Sequence, residues 1–333
     1  MKKNVNNLVI CALCLVFGLS AFLLTGCGEP EEKPKFTVTF VQNGETKAAI
    51  TVEEGKKVSK KDVASPASEG EGYVTEWNYD FDETVAADKT VGTTHYTKGL
   101  EISKSLTGKS YVVSGYDGQS QDVYMPDFYN GGEVVSIKNE AFKKNHTIVS
   151  VRFPSALVSV GVEAFSKCVN LVSVDLPETV TTLGASAFAV CESLDGFVIP
   201  PLVTSLQTRL FQGCKFDFID IPEGVTTIGE YAFACKATRI ALPKSLSRIE
   251  GLGLWDELQT IYYKGAEYDW ENVIFSEKAE PVYDNGKNFI REFSVKSIID
   301  RITDAGELYY YSETESTKSG NYWHYENGEP VVW

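Results

Sequence analysis

The pair Ala-Phe returns every 23 residues, at 141–142, 164–165 and 187–188. Leu210-Phe211 keeps the register, Ala232-Phe233 comes one residue early, and Gly253-Leu254 is a degenerate last copy. Ile137, Val160, Leu183, Leu206, Ile228 and Ile249 sit four residues ahead of these pairs. Ile148, Leu171, Leu194 and Phe216 lie three residues before Val151, Val174, Phe197 and Ile219, a column that continues as Ile240 and Ile261. Pro154, Pro177, Pro200, Pro222 and Pro243 follow it. One such unit cannot bury its apolar side chains alone, whereas stacked copies place like residues over like and form one continuous core. Each copy holds a short strand such as Val151-Arg152-Phe153, with side chains alternating between faces. The proline after it has no N–H for a ladder and stops it. The stretch from Val162 to Lys167 has room for one or two helical turns.

The cysteines follow the same spacing. Cys168, Cys191, Cys214 and Cys235 fall three residues after each Phe, two in the last copy. They are expected to stack in one column inside the coil as apolar thiols. Four thiols in a line do not converge on a tetrahedral zinc ion. A disulfide between neighbouring rungs is the rival in an exported chain. Stacked rungs lie about 4.8 Å apart, but their parallel Cα–Cβ vectors oppose the bond.

The N-terminus is organised differently. Lys2 and Lys3 precede an apolar run from Leu8 to Leu24, ending in Leu24-Thr25-Gly26-Cys27. A basic start, a short apolar stretch and small residues before a cut site describe an export signal. The residues LLTGC resemble the lipobox of bacterial lipoproteins. That resemblance implies cleavage before Cys27 and diacylglyceryl attachment to it. The rivals are an uncleaved N-terminal helix and ordinary secretion with Cys27 as a bystander. Residues 27–34 read as a charged, Pro-bearing tether after a signal over 1–26.

The repeats closely resemble the BspA-like leucine-rich repeat family: LVSVDLPETVTTLGASAFAVC and FIDIPEGVTTIGEYAFAC follow its pattern nearly throughout. The resemblance covers about residues 99–275 and implies a solenoid of short parallel strands with caps. Tyr111 to Ile137, with a turn at Asn130-Gly131-Gly132, looks like its opening segment. The stretch from Ile261 to Gly265 and then Tyr268-Asp269-Trp270 looks like its exit. There Trp270, Val273 and Ile274 are expected to form the apolar stripe of a short helix. Leu210 in place of Ala, Ala237 in place of Leu and the shortened fifth copy predict a locally irregular coil. Residues 35–98 resemble the Listeria–Bacteroides repeat, also called the internalin B-repeat. This implies a small β-grasp-like module, with a hairpin at Asn43-Gly44 and Trp77 in its core. Residues 276–333 read as a small β tail with a hairpin at Asn327-Gly328. The fold class expected is thus α+β with a repeat solenoid between two small β units.

Little in this sequence supports catalysis. His95, His146 and His324 fall in three different units, so a His–nucleophile pair or a His metal cluster has no basis. No phosphate loop or calcium loop appears, and no cofactor is expected. The net charge of −15 repels nucleic acid and anionic lipid, leaving the lipid anchor as the membrane link. The outward strand positions are Arg152, Asp175, Val198, Asp220, Ala241 and Tyr262, beside Ser150, Ser173, Gly196, Phe218, Arg239 and Thr260. Solenoids bind through such sheets. Arg152, Asp175, Asp220, Arg239 and Tyr262 are the candidate contacts, and a solvated face is the rival. Trp323, among Tyr309, Tyr310, Tyr311, Tyr322 and Tyr325, offers a ring for stacking on sugars, with a core or capping role as the alternative. The resemblance implies adhesion at a bacterial cell surface to a host or neighbouring-cell protein; glycan capture is the second reading.

Overall fold

A computed structural model describes residues 32–251, 258–276, 280–284, 288–293, 295–312, 321–327 and 329–332. The export signal, Cys27 and the Gly253-Leu254 copy lie outside the described residues.

The repeats form a coil with two faces of parallel strands. On one face Asp122–Tyr124, Ser150–Arg152 and Ser173–Asp175 pair in register. Further along, Phe218–Asp220, Arg239–Leu242 and Thr260–Tyr263 do the same. The second face begins with Tyr111–Tyr116, Gly132–Ile137, Ser159–Val160 and Thr182–Leu183. It resumes with Ser205–Leu206, Thr227–Ile228, Arg248–Glu250 and Ile274–Ser276. Side chains between the faces make one core. Phe142, Phe165, Phe188, Phe211 and Phe233 stack along it with ring planes 1–17° apart. Burying a ring of this size stabilises the coil by about 2–3 kcal/mol.

The third side of each rung is not helical, contrary to the expectation for residues 162–167. Ala164, Ser166 and Cys168 N–H groups donate to carbonyls three residues back, those of Gly161, Glu163 and Phe165. The intervening N–H groups, of Glu163, Phe165 and Lys167, donate to Ala185, Ala187 and Ala189 of the next rung. Glu163 and Lys167 hold φ of 55° and 65°. This left-handed geometry interrupts any helix and helps turn alternate N–H groups toward the neighbour. It costs about 1–2 kcal/mol per residue, offset by a hydrogen-bond ladder running along the coil. Glu140 and Lys144, and Ser186 and Val190, repeat the device.

Both strand faces open at the same place. Thr182–Leu183 does not pair with Ser205–Leu206, and residues 194–200 contain no strand between Ser173–Asp175 and Phe218–Asp220. Two residues mark the seam. Gly196 stands in the strand column with φ 84°, outside the extended region. Gln207 stands where Gly161, Gly184 and Gly229 occupy three other rungs, and Lys138 and Glu250 the first and last. At those glycines a Cβ would lie 2.5 Å from Asn139 N, 2.4 Å from Val162 N and 2.8 Å from Leu206 O respectively. A side chain in that column does not by itself prevent pairing, since Glu250 occupies it and Arg248–Glu250 still pairs with Thr227–Ile228. Across the seam the turn ladder continues, through Ser186 N–H to Thr208 O, Phe188 N–H to Leu210 O and Val190 N–H to Gln212 O, and single bonds from Asp195 N–H to Val172 O and from Cys214 Sγ to Phe188 O also cross it. The irregularity expected at Leu210 and Ala237 is thus displaced: both are fully buried, and the break lies at Gly196 and Gln207.

Residues 35–98 pack a second core of Val38, Phe40, Val58, Val63, Trp77, Tyr79, Val85 and Val91. Lys35–Gln42 pairs antiparallel with Glu45–Glu53 around Asn43-Gly44, both at positive φ, and parallel with Lys89–Val91. Trp77 Nε1 donates to Ala64 O at 2.8 Å. The strand Thr93–Thr97 reaches the first rung, where Thr97 Oγ1 accepts the Tyr124 N–H at 2.7 Å.

The C-terminal end departs from an all-β tail. A ten-residue helix, Val295–Asp304, lies in it, and Ile298, Ile299 and Ile302 are buried in the solenoid core. It covers the open end of the coil. The short helix Glu267–Trp270 carries only Trp270 of the expected stripe; Val273 follows it, and Ile274 is half exposed in a strand. Leu308–Tyr311, Tyr322–Glu326 and Glu329–Val332 then extend the first strand face, with Asn327 at the tip of the last hairpin.

The cysteine column is part of the core. Each Sγ of Cys168, Cys191 and Cys214 donates to the Phe carbonyl 26 residues earlier, at 3.1–3.2 Å. None of the four cysteines is in a disulfide. Burial pushes Cys168 and Cys214 up to about 12, and Cys191 also upward. A thiol whose pKa is higher folded than unfolded favours the native state below the unfolded pKa. That contribution is lost as pH rises from about 9 toward about 12. We expect no alkylation of these three cysteines by iodoacetamide at about pH 8 without denaturant, and complete alkylation with it, read by mass spectrometry. Rapid native labelling would contradict the burial.

Candidate binding face

The strand face that begins at Asp122–Tyr124 carries the candidate contacts. Arg152 is exposed on Ser150–Arg152, and its guanidinium lies 4.5 Å from the centre of the Tyr124 ring on the preceding strand. Tyr124 is stacked in turn on His95 of the N-terminal module, at 4.8 Å and 14°. The guanidinium is therefore held over an aromatic platform anchored on two units. Asp175 is the register partner of Arg152 on the next strand and is also exposed. Neither side chain enters an ion pair within 4 Å among the described residues. With Val151, Phe153, Leu176 and Pro177 they line a hollow of about 380 Å³. A cation and an anion one rung apart, neither neutralised and both beside apolar walls, suit a polar protein segment.

Beyond the seam the face changes character. Arg239 lies 5.5 Å from the centre of the Phe218 ring. Asp220 accepts from Lys264 Nζ at 2.5 Å and from the Tyr325 hydroxyl at 2.7 Å. Burial and this hydrogen bond push the Tyr325 hydroxyl pKa upward. Lys264 also donates to Ile221 O at 2.7 Å.

The pattern of the rungs has a counterpart among known families. Residues 127–239 match the BspA type leucine rich repeat region. The match comprises 6 copies. No curated protein matches the chain. Among solved structures, the T. pallidum leucine rich repeat protein is 24% identical with a TM-score of 0.47, covering 50% of this chain and 78% of that one. A leucine rich cell surface protein from Faecalibacterium prausnitzii is 20% identical with a TM-score of 0.38, covering 51% and 48%. A leucine-rich repeat protein from Eubacterium ventriosum is 26% identical with a TM-score of 0.37, covering 58% and 44%. This chain thus spans about half of the last two. The matched family is one of repeat proteins, and no catalytic family is indicated.

Within and beyond the matched residues, the candidate contacts separate. Arg152 and Asp175 come together. Arg239 is part of the same strand face but lies beyond the seam. Asp220 is tied internally by Lys264 and Tyr325. Tyr262 is 7% exposed, which corrects its expectation as an open contact, and Trp323 is fully buried, which fits the core role weighed against sugar stacking. Trp323 packs on Tyr262, Tyr311 and Tyr325, and its Nε1 donates to Tyr263 O at 3.0 Å. Ala241, expected to point outward, is buried in that cluster. The physical reason is the folding back of the last strands, which turns outward positions into an aromatic core. The Tyr124 platform was not singled out from sequence, because its strand precedes the first full repeat. The signal was there: Tyr124 occupies in its strand the place of Arg152. Among the described residues no three His, Cys, Asp or Glu side chains are grouped to hold a metal ion, and no helix is long and apolar enough to cross a membrane.

Proposed function

We propose that this protein is a non-enzymatic binding lipoprotein of a bacterial surface, held by acyl chains on Cys27 and recognising an extracellular protein through the strand face of its repeats. The observation that carries this reading is the Arg152–Asp175 hollow. It presents two uncompensated opposite charges beside the Tyr124 platform on an otherwise strongly acidic chain. The host- or neighbour-cell adhesion role, the B-repeat identity of residues 35–98 and the anchor come from the resemblances of the sequence. Two acyl chains hold a protein on a membrane far longer than one, and many copies per cell raise avidity for a modest surface. Glycan capture is the second reading. It rests on Tyr309, Tyr311 and Tyr325, which stay partly exposed around the buried Trp323.

The test is a panel of extracellular-matrix proteins, epithelial cells and a glycan array, probed with the full chain and with Arg152→Glu. We expect a protein ligand whose binding falls about tenfold or more in the variant, as for an interface arginine over an aromatic ring. Binding to no protein on the panel, or equal binding by the variant, would sink the reading. On cells, Cys27→Ala is expected in the medium; retention in the membrane fraction would remove the anchor.

A further inference from the structure

At the C-terminal end of the coil a cleft of about 370 Å³ lies between the helix Glu267–Trp270 and the added strands. Tyr268, Tyr310, Tyr311 and Tyr322 line it together with Glu267, Glu271 and Ala266. Its volume falls in the range of small-ligand pockets, about 300–1,000 Å³. Tyr310 and Tyr322 are register partners on neighbouring strands, so two rings stand side by side as one wall. Tyr268, 64% exposed, belongs to the rim. Glu267 and Glu271 lie four residues apart, on one side of the helical turn.

Three observations give the cleft a chemical preference. The carboxylates of Glu267 and Glu271 have no hydrogen bond or ion pair among the described residues. Nearby cations are already engaged: Lys244 with Asp269 at 3.3 Å and Lys264 with Asp220 at 2.5 Å. The Tyr310 hydroxyl is held in its protonated form first by burial and then by Glu267 and Glu271, which places both carboxylates close to it. The cleft therefore combines aromatic faces, which are electrostatically negative, with two uncompensated negative charges. Aromatic faces attract organic cations.

We propose that this cleft binds an alkylammonium group. The tyrosine faces cover the alkyl substituents while Glu267 and Glu271 supply the counter-charge. The same chemistry is offered by a choline headgroup and by a lysine side chain. An anionic sugar is repelled, and a neutral one leaves both carboxylates without a cation. The site is separate from the Arg152–Asp175 hollow and stands or falls independently of it.

The test is calorimetric titration of the full chain with choline chloride, with N-acetyl-lysine methylamide and with glucose. We expect saturable binding of at least one of the two cations and none of glucose. The variant Glu267→Gln/Glu271→Gln is expected to weaken it about tenfold or more, with an unchanged thermal melt. Tyr268→Ala, at an exposed position, is a second variant expected to weaken binding without affecting folding. Preference for choline or for the lysine derivative identifies the source of the group. Absence of binding by both cations, equal affinity in the double variant, or equal binding of glucose would overturn the proposal.

Discussion

Phe165→Ala is expected to lower the stability of the coil by about 3–5 kcal/mol, the usual cost of emptying a buried aromatic site. Phe165 is fully buried. Its ring lies 4.8 Å from that of Phe142 and 5.5 Å from that of Phe188, and the edge of Phe153 closes the side at 5.8 Å. A solenoid makes this loss worse than in a globular core. Each rung is stabilised by its two neighbours, and one missing ring weakens both interfaces. Collapse around the void is limited, because the turn ladder fixes the rung spacing on the Phe side through Phe142 N–H to Ala164 O and Phe165 N–H to Ala187 O. Urea unfolding followed by circular dichroism reads the change as a drop in the midpoint. A loss below about 1 kcal/mol, far under the usual cost of such a void, would show that the Phe column is not the continuous core described.

Gly184→Ala is the second large effect. The added methyl would meet Val162 N at 2.4 Å and Gly161 C at 2.5 Å, both backbone atoms of the preceding rung. Backbone cannot rotate away as a side-chain tip can, so the two rungs must separate. The bond from Gly184 N–H to Val160 O, 2.8 Å long, would be strained with them. We expect a loss of about 1–3 kcal/mol, the range of overpacked interiors, measured in the same urea experiment. Gln207 stands in the same column beside the missing pairing, whereas Glu250 is accommodated there with its strand paired, so the cost is set by the close approach at Gly184 itself. A Gly184→Ala variant as stable as the parent would show that this close approach does not limit the rung spacing.

How much of this was legible in the sequence depends on repetition. Columns such as Val160, Leu183 and Leu206 were readable because a stacked core demands the same size and polarity at every rung. The same logic placed the cysteines, whose carbonyl-directed thiols now fill the coil. Asn43-Gly44 was readable because two consecutive left-handed residues are a local demand of a tight hairpin. Features that occur once were harder. The helix Val295–Asp304 carries apolar residues at 295, 298, 299 and 302, a helical spacing, yet the expected β tail hid it. The turn ladder was misread as helix because its determinant, left-handed φ at ordinary residues such as Glu163 and Lys167, leaves no mark in composition. Of the candidate site, Arg152 and Asp175 followed from strand alternation. The burial of Tyr262 and Trp323 did not, since it depends on distant C-terminal strands folding back onto the face.

The seam also limits what one end of the coil can tell the other. Coupling between distant positions needs a contiguous network with two arrangements that both sites bias. Here the two blocks share no strand ladder across residues 183–206 and are joined by the turn ladder, the Phe column and the single bonds of Asp195 N–H to Val172 O and Cys214 Sγ to Phe188 O. If the proposed ligand occupies Arg152 and Asp175, it is expected to stabilise the first block and to pass little of its binding free energy to the aromatic end. The two proposed sites would then act as nearly independent units on one continuous backbone.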